Sequence, residues 1–407
     1  MPRMFDEEWQ RKRQRKFEAA LWWYNAAVKC ALEWKDLRRD GKETGDQRIR
    51  RHLKGHPAVF RNHYRLNPYN FRILCDELKA RGLECTGDVT VEECVGMFLQ
   101  MIGQADTMRI LAENFQHSEE TVWRYTRRVM AAVLRMQRDY IKLPGPDAPI
   151  HPKLREGTEY YAFKDALGAI DGTHINAFPD SHEDFKERWR NRKGNMTQNV
   201  MAAVDFDGRF VAVLAGWEGS GHDSLVLRRA MEQGFLSVPE GRYYLVDSGY
   251  ANTHQFLSPY RGITYHLAKF RQRRIEDRYE NGEELFNHRH AQLRNVVEKA
   301  FGILKGRFHL LKDMHAYNYD FQTDIVLACC VIHNFLIRYP NLDAGTEEYS
   351  GDDSSDDDNG SDNHNSPTSG IQSMAGSSRR SDGERGSEIR DKIRDLLWNS
   401  RCNDTQS

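Results

Sequence analysis

YAFKDALGAIDGTHI, residues 161–175, decides the fold: an apolar run, LGAI, stops at Asp171 and is followed at once by glycine. Short apolar runs bounded by turn residues read as strands. The pattern returns at GRYYLVDSGY, residues 241–250, where YYLV stops at Asp247. Between them, NVMAAVDFDGRFVAVLAGW, residues 199–217, is two β-rich runs about Asp207-Gly208, a strong hairpin signal. SLVLRRAMEQGF, residues 224–235, reads as a helix, and YHLAKF, residues 265–270, is a candidate strand. Residues 290–308 and 322–339 read as two long helices. Strand, strand, strand, helix, strand, candidate strand, helix is the order of a mixed α/β layer domain, placed here at residues 166–340.

Working outward, residues 143–165 are a linker and lead-in, opened by the proline-rich LPGPDAPIHPKL. Residues 61–142 are read as all-helical. Gly82 suits a helix C-cap, Thr90 and Glu93 have capping-box spacing, and Ser118 can cap EETVWRYTRRVMAAVL after a short turn at Gln116-His117. Two helices joined by a short turn are what a helix-turn-helix DNA-binding unit needs. Val122, Tyr125, Val129 and Ala132 then face its core, and Arg124, Arg127 and Arg128 point toward phosphates or bases. An ordinary helical bundle with a basic outer surface fits the same residues.

Residues 1–60 read as a basic helical segment. Its cluster RKRQRK, residues 11–16, suits a nuclear-import signal, a DNA-backbone contact or a solvated helix face. Residues 341–387, with GDDSSDDD at 351–358, are too poor in apolar side chains to offset ordering entropy and are expected to be disordered. Residues 388–407 carry an amphipathic helix, with Ile393, Leu396, Leu397 and Trp398 at helical spacing, expected to dock back on the body.

The net charge of −1 hides this basic head and acidic tail. Hydrophobic residues are 39% and charged residues 29%, no run of about 18 apolar residues suggests a membrane span, and no apolar stretch follows the basic N-terminus as in a secretory signal. An intracellular protein is expected, nuclear or also cytoplasmic, with no membrane partner. Seven cysteines, an odd number with none at Cys-x-x-Cys spacing, argue against a disulfide framework or zinc ribbon. Cys329, Cys330 and His333 share one helical stretch and read as core. Gly219-Ser-Gly221 lacks the ending of a nucleotide-binding phosphate loop, and Gly-x-Ser-x-Gly is absent.

Four acids remain as candidates for chemistry. Asp171 and Asp247 close strands, Asp223 stands in GSGHDS before a helix, and Glu298 lies in RNVVEKAFGILK. Carboxylates on rigid elements at a sheet edge are how Mg²⁺ or Mn²⁺ is held, with water and phosphate oxygens completing the shell. In the helix at 290–308 Leu293, Val296, Val297, Ala300 and Leu304 form an apolar stripe, flanked by Glu298 together with Arg294 and Lys305. Each acid has a plainer reading. Asp171 and Asp247 suit turns, Asp223 a helix N-cap, and Glu298 an ion pair with Arg294 one helical turn away.

AIDGTHI, RWRNRKGN, WEGSGHDS, YLVDSGY and RNVVEKAFGILKGRF occur in this order between Gly168 and Tyr339. Together they resemble the DDE domain of PIF/Harbinger-type transposases and the nucleases derived from them. LAENFQHSEETVWRYTRRV resembles the helix-turn-helix region preceding that domain in plant members. Trp189 departs from the tyrosine of many relatives but keeps an aromatic ring.

The resemblance implies an RNase-H-like α/β fold with Asp171, Asp247 and Glu298 as catalytic residues. Those three and Asp223 would be ligands for a divalent metal cation, Mg²⁺ or Mn²⁺. Two such ions would serve in-line displacement at phosphorus, one on the attacking oxygen and one on the leaving oxygen. From the residues themselves, Arg190, Arg192 and Lys193 suit a phosphate grip or a solvated loop, Arg294 and Lys305 could hold DNA phosphate, and His174 and His222, beside the acids, suit structural histidines or contacts to DNA or the carboxylates. The expected partners are DNA, a Myb/SANT-like DNA-binding protein, chromatin regulators and further copies of the chain. A transposase-derived regulator that binds DNA or chromatin without cutting it is the alternative function.

Overall fold

The sheet is laid around β1 (Ala166–Asn176). On one side β2 (Thr197–Val204) pairs antiparallel with β1 from Ala169 to Asn176, and β3 (Phe210–Glu218) is antiparallel to β2. On the other side β4 (Tyr243–Leu245) runs parallel to β1, paired only between Ala166 and Ala169, and β5 (Phe256–Leu257) runs parallel to β4. The order is β3-β2-β1-β4-β5 in a mixed five-stranded sheet. This computed structural model describes residues 3–33, 41–87, 89–178, 189–190, 194–219, 223–263, 279–340 and 376–404. The candidate strand at 265–270 and most of the acidic segment, 341–375, lie outside them.

The hairpin forms where Asp207-Gly208 places it. Asp205 Oδ1 accepts from the backbone N–H of Asp207 and Arg209, at 3.0 and 2.9 Å. Gly208 takes a φ of 83°, a conformation open to glycine at no steric cost. One expectation is corrected: Asp171 does not end its strand. The strand runs on to Asn176, because β2 keeps pairing after β4 has stopped.

The helices in chain order are α1 (Arg3–Glu33), α2 (Gly45–Lys54), α3 (Pro57–Tyr64), α4 (Pro68–Ala80), α5 (Val91–Gln104), α6 (Met108–Phe115) and α7 (Glu119–Tyr140). They continue with α8 (Asp223–Glu232), α9 (Gly282–Arg307), α10 (Tyr319–Arg338) and α11 (Gly376–Asp404). Strand side chains alternate between faces, and the sheet sorts them accordingly. Ala169, Ile175, Val200, Ala202 and Leu245 pack into one core with α9, α10 and the helices from α2 to α7. Leu167, Ile170, Met201, Ala203 and Tyr244 pack into a second core with Val226, Leu227 and Ala230 of α8. The result is a helix–sheet–helix layering.

The amphipathic stripe of α9 is real: Leu293, Val297, Ala300 and Leu304 are buried and Val296 is half-buried. The helix starts earlier than its stripe suggests, because Asn281 caps it by accepting from Glu284 N–H at 2.9 Å. The C-terminal helix also begins earlier, at Gly376, and it docks on α9. Ile393 and Leu397 are buried, Trp398 is half-buried, and Leu396 stays exposed. The Arg390 guanidinium sits 4.1 Å over the ring of Tyr260, whose hydroxyl donates to Asp391.

Gln116 turns the chain in the left-handed region and Ser118 caps α7, so α6 and α7 are joined as the sequence suggests. Val122, Tyr125, Val129 and Ala132 are buried, while Arg124, Arg127 and Arg128 are exposed. α7 also lies along α10, with Trp123 at 4.7 Å from Phe321 between ring centres. α10 has the length and hydropathy of a membrane span, but 67% of that stretch is buried inside the fold. Its buried polar residues have work there. Asn334 donates to Tyr140 C=O at 2.8 Å and Phe210 C=O at 2.7 Å, and accepts from Phe210 N–H at 2.9 Å. Gln322 closes a similar pair with the backbone of Phe178 just past β1.

Asn334 therefore ties the end of α7, the start of β3 and α10 in one side chain. Asn334→Ala strands three buried backbone groups, each costing about 1–3 kcal/mol when left unsatisfied. A loss of roughly 3 kcal/mol or more is expected in urea denaturation. A change within experimental error would show that those groups find other partners.

Candidate active site at the edge of β1 and β4

The parallel register pairs Ala169 with Leu245. Two residues further along each chain stand Asp171 and Asp247. By alternation, both belong on the face covered by α9. Parallel pairing has ended there, so the carboxylates stand at the C-terminal edge of the parallel half, the position where open α/β sheets bind ligands. Asp171 Oδ1 accepts from Gly172 N–H and Asp247 Oδ1 from Gly249 N–H, each at 2.9 Å. The turn reading holds for Asp247, which opens a turn after β4, and is corrected for Asp171, which stays within β1.

α9 supplies the rest. Arg294 extends one guanidinium nitrogen to Asp171 Oδ2 at 2.9 Å and the other to Glu298, one helical turn on. The side chains of Asp171 and Arg294 are 20% and 22% exposed, whereas Glu298 is 49% exposed. Burial pushes the Asp171 carboxyl up to about 6. Arg294 and the Gly172 N–H oppose that shift, and Asp247 and Glu298 add to it. Burial pulls Arg294 down, but Asp171, Glu298 and Asp247 together hold its pKa above the ordinary arginine value. Three carboxylates thus act on one guanidinium.

Lys305 lies on the same helix, but its ammonium is taken up by β1, donating to Thr173 Oγ1 at 2.7 Å and His174 C=O at 2.9 Å. The ring of His174 meets Thr197 Oγ1 at 3.0 Å. Asp223 is the first residue of α8, in the layer on the other side of the sheet, and its side chain is outside the described residues, as are Arg192, Lys193 and His222. Arg190 is exposed and bridges through its backbone to Met196, and Trp189 packs edge-on against Tyr319. Arg124, Arg127 and Arg128 belong to α7 and form no part of this cluster. Cys329, Cys330 and His333 are core, as their spacing suggests.

Sequence reasoning places Arg294 beside Glu298 but misses its reach to Asp171. The signal was available in the alternation of β1, which sets Ala169, Asp171, Thr173 and Ile175 on one face, and in the flank of α9 that holds Arg294, Glu298 and Lys305. Oxygen donors of this kind suit a hard divalent cation. The arrangement does not yet form a cage for one. Among the described residues no three His, Cys, Asp or Glu side chains gather as a metal-binding group, and Arg294 bridges Asp171 to Glu298.

Residues 170–334 match the DDE superfamily endonuclease family. An Arabidopsis thaliana protein named ALP1-like is 24% identical over 69% of this chain and 71% of its own length. The Arabidopsis thaliana protein named Antagonist of Like Heterochromatin Protein 1 is 26% identical over 61% of this chain and 63% of its own. Rat HARBI1, whose name describes it as a candidate nuclease, is 26% identical over 54% of this chain and 60% of its own. The match to these last two spans less than two thirds of either relative. Residues 40–135 match a domain of unknown function, DUF8040. No solved structure matches.

Asp171 gives a pH-dependent prediction. Its folded pKa of about 6 lies above the ordinary aspartate value of 3.8, so the fold favours the protonated form. That contribution is complete below the unfolded value and is lost as pH rises toward 6. Asp171→Asn removes the loss. The variant is expected to be more stable than wild type at pH 7.5, by on the order of 2 kcal/mol. The advantage should shrink toward pH 4, as read by thermal melts across that range. A constant difference between the two proteins would show that Asp171 does not titrate there.

Proposed function

We propose that this chain is a divalent-metal-dependent DNA endonuclease of transposase descent, using Asp171, Asp247 and Glu298 on an RNase-H-like domain. One observation carries the proposal. Asp171 of the central strand and Asp247 just past its parallel neighbour lie at one sheet edge, and Glu298 is drawn to them from the covering helix through Arg294. The β3-β2-β1-β4-β5 order, with an antiparallel half and a parallel half, supports the RNase-H-like assignment.

Asp171, Asp247 and Glu298 would bind Mg²⁺ or Mn²⁺, with Asp223 as a fourth candidate ligand, and the reaction is breakage, and in a transposase joining, of phosphodiester bonds. Arg190, Arg192, Lys193, Arg294 and Lys305 would grip DNA near the acids. Arg124, Arg127 and Arg128 would do so from a helix-turn-helix of α6 and α7. Nuclear residence, self-association and a Myb/SANT-like DNA-binding partner complete the proposal.

A second reading has its own support. A relative is named as an antagonist of a heterochromatin-protein-like factor, and the acids here are engaged by Arg294. On that reading the chain binds DNA or chromatin as a regulator without cutting. The two separate on labelled DNA carrying candidate terminal inverted repeats, incubated with Mg²⁺ or Mn²⁺. Wild type should nick it, and EDTA or Asp247→Asn should reduce nicking at least a hundredfold. Well-folded wild type that binds the DNA and leaves it intact would favour the regulator.

A further inference from the structure

We propose that Arg294 is a resident counter-ion, which must leave Asp171 and Glu298 before these carboxylates can share a divalent cation. The proposal rests on the metal-nuclease reading and adds a step to it that the family match does not supply. Its basis is the mismatch between the donor set and its arrangement. The acids have the right chemistry, yet no metal-binding group is assembled among the described residues, and the two carboxylates are bridged by a guanidinium, one arm to each.

Charge explains why something must stand there. A carboxylate four-fifths buried beside two others is costly unless a cation is close. Arginine suits this role, because its flat fork meets two oxygens at once and its charge is permanent. A divalent ion placed among the same oxygens would face that charge at contact range, so both cannot keep the position. Departure asks little of the fold. Arg294 is a long side chain on a helix whose stripe remains packed, and it is 22% exposed, so a change of rotamer carries the guanidinium toward solvent without moving the backbone. Lys305 does not share this role, since its ammonium is held by Thr173 and His174.

The consequence is a site whose metal affinity is held down by its own arginine. The test titrates the full chain with Mn²⁺, without nucleic acid, and reads free Mn²⁺ by electron paramagnetic resonance. Arg294→Gln is expected to bind at least tenfold more tightly than wild type. Arg294→Lys keeps the charge but loses the fork, so it should fall between them, and it carries the comparison if the glutamine variant does not fold. Adding Asp247→Asn to Arg294→Gln should abolish the gain. Equal or weaker binding in the Arg294 variants, or a gain that survives Asp247→Asn, would overturn the counter-ion role and leave the metal-nuclease reading standing. Failure of every form to bind Mn²⁺ would overturn that reading and the counter-ion role with it.

Discussion

A carboxylate set into the middle strand of a sheet needs a cation or a proton, and the arrangement around Asp171 follows from that need. Its strand has lost the parallel neighbour by this point but still has the antiparallel one, so Asp171 is anchored by β2 and open toward β4. The face it points to is roofed by α9. Arg294 can reach it only because Leu293, Val297 and Ala300 seat that helix on the sheet. The apolar stripe fixes the helix, the helix fixes the arginine, and the arginine holds the acid.

The same logic ties the N-terminal helices to the sheet that carries the acids. α7 is not an appendage on a linker: it lies along α10, which in turn backs the sheet, and all three meet at Asn334. α6 and α7 are therefore held in a fixed position relative to the acids. Arg124, Arg127 and Arg128 remain exposed because the buried face of α7 is already taken by Val122, Tyr125 and Val129.

Much of this was legible in the sequence because it depends on period and on turn chemistry. The hairpin at Asp207-Gly208, the cap at Ser118 and the stripe of α9 are local signals, and each appears where its residues put it. What escaped depends on distant partners. The true end of β1 is set by how far β2 follows it, and the early part of α11 meets residues 252–254, far from it in sequence. Arg294 and Glu298 sit four apart, so their pairing could be read, whereas the 123-residue reach from Arg294 to Asp171 could not be read from either segment alone.

The cost of Asp171 bears on the choice between nuclease and regulator. Its pKa stands above that of a free aspartate even with Arg294 beside it, so at neutral pH the ionised group works against folding. A scaffold needed only for binding DNA would gain stability from an amide or a small apolar residue there. Strain and buried charge that persist against stability are characteristic of sites where chemistry uses them. Arg294 lowers this cost without cancelling it, leaving a carboxylate that a second, stronger cation would stabilise further. On the proposed metal-nuclease reading, that residual cost is one that a bound divalent cation would offset.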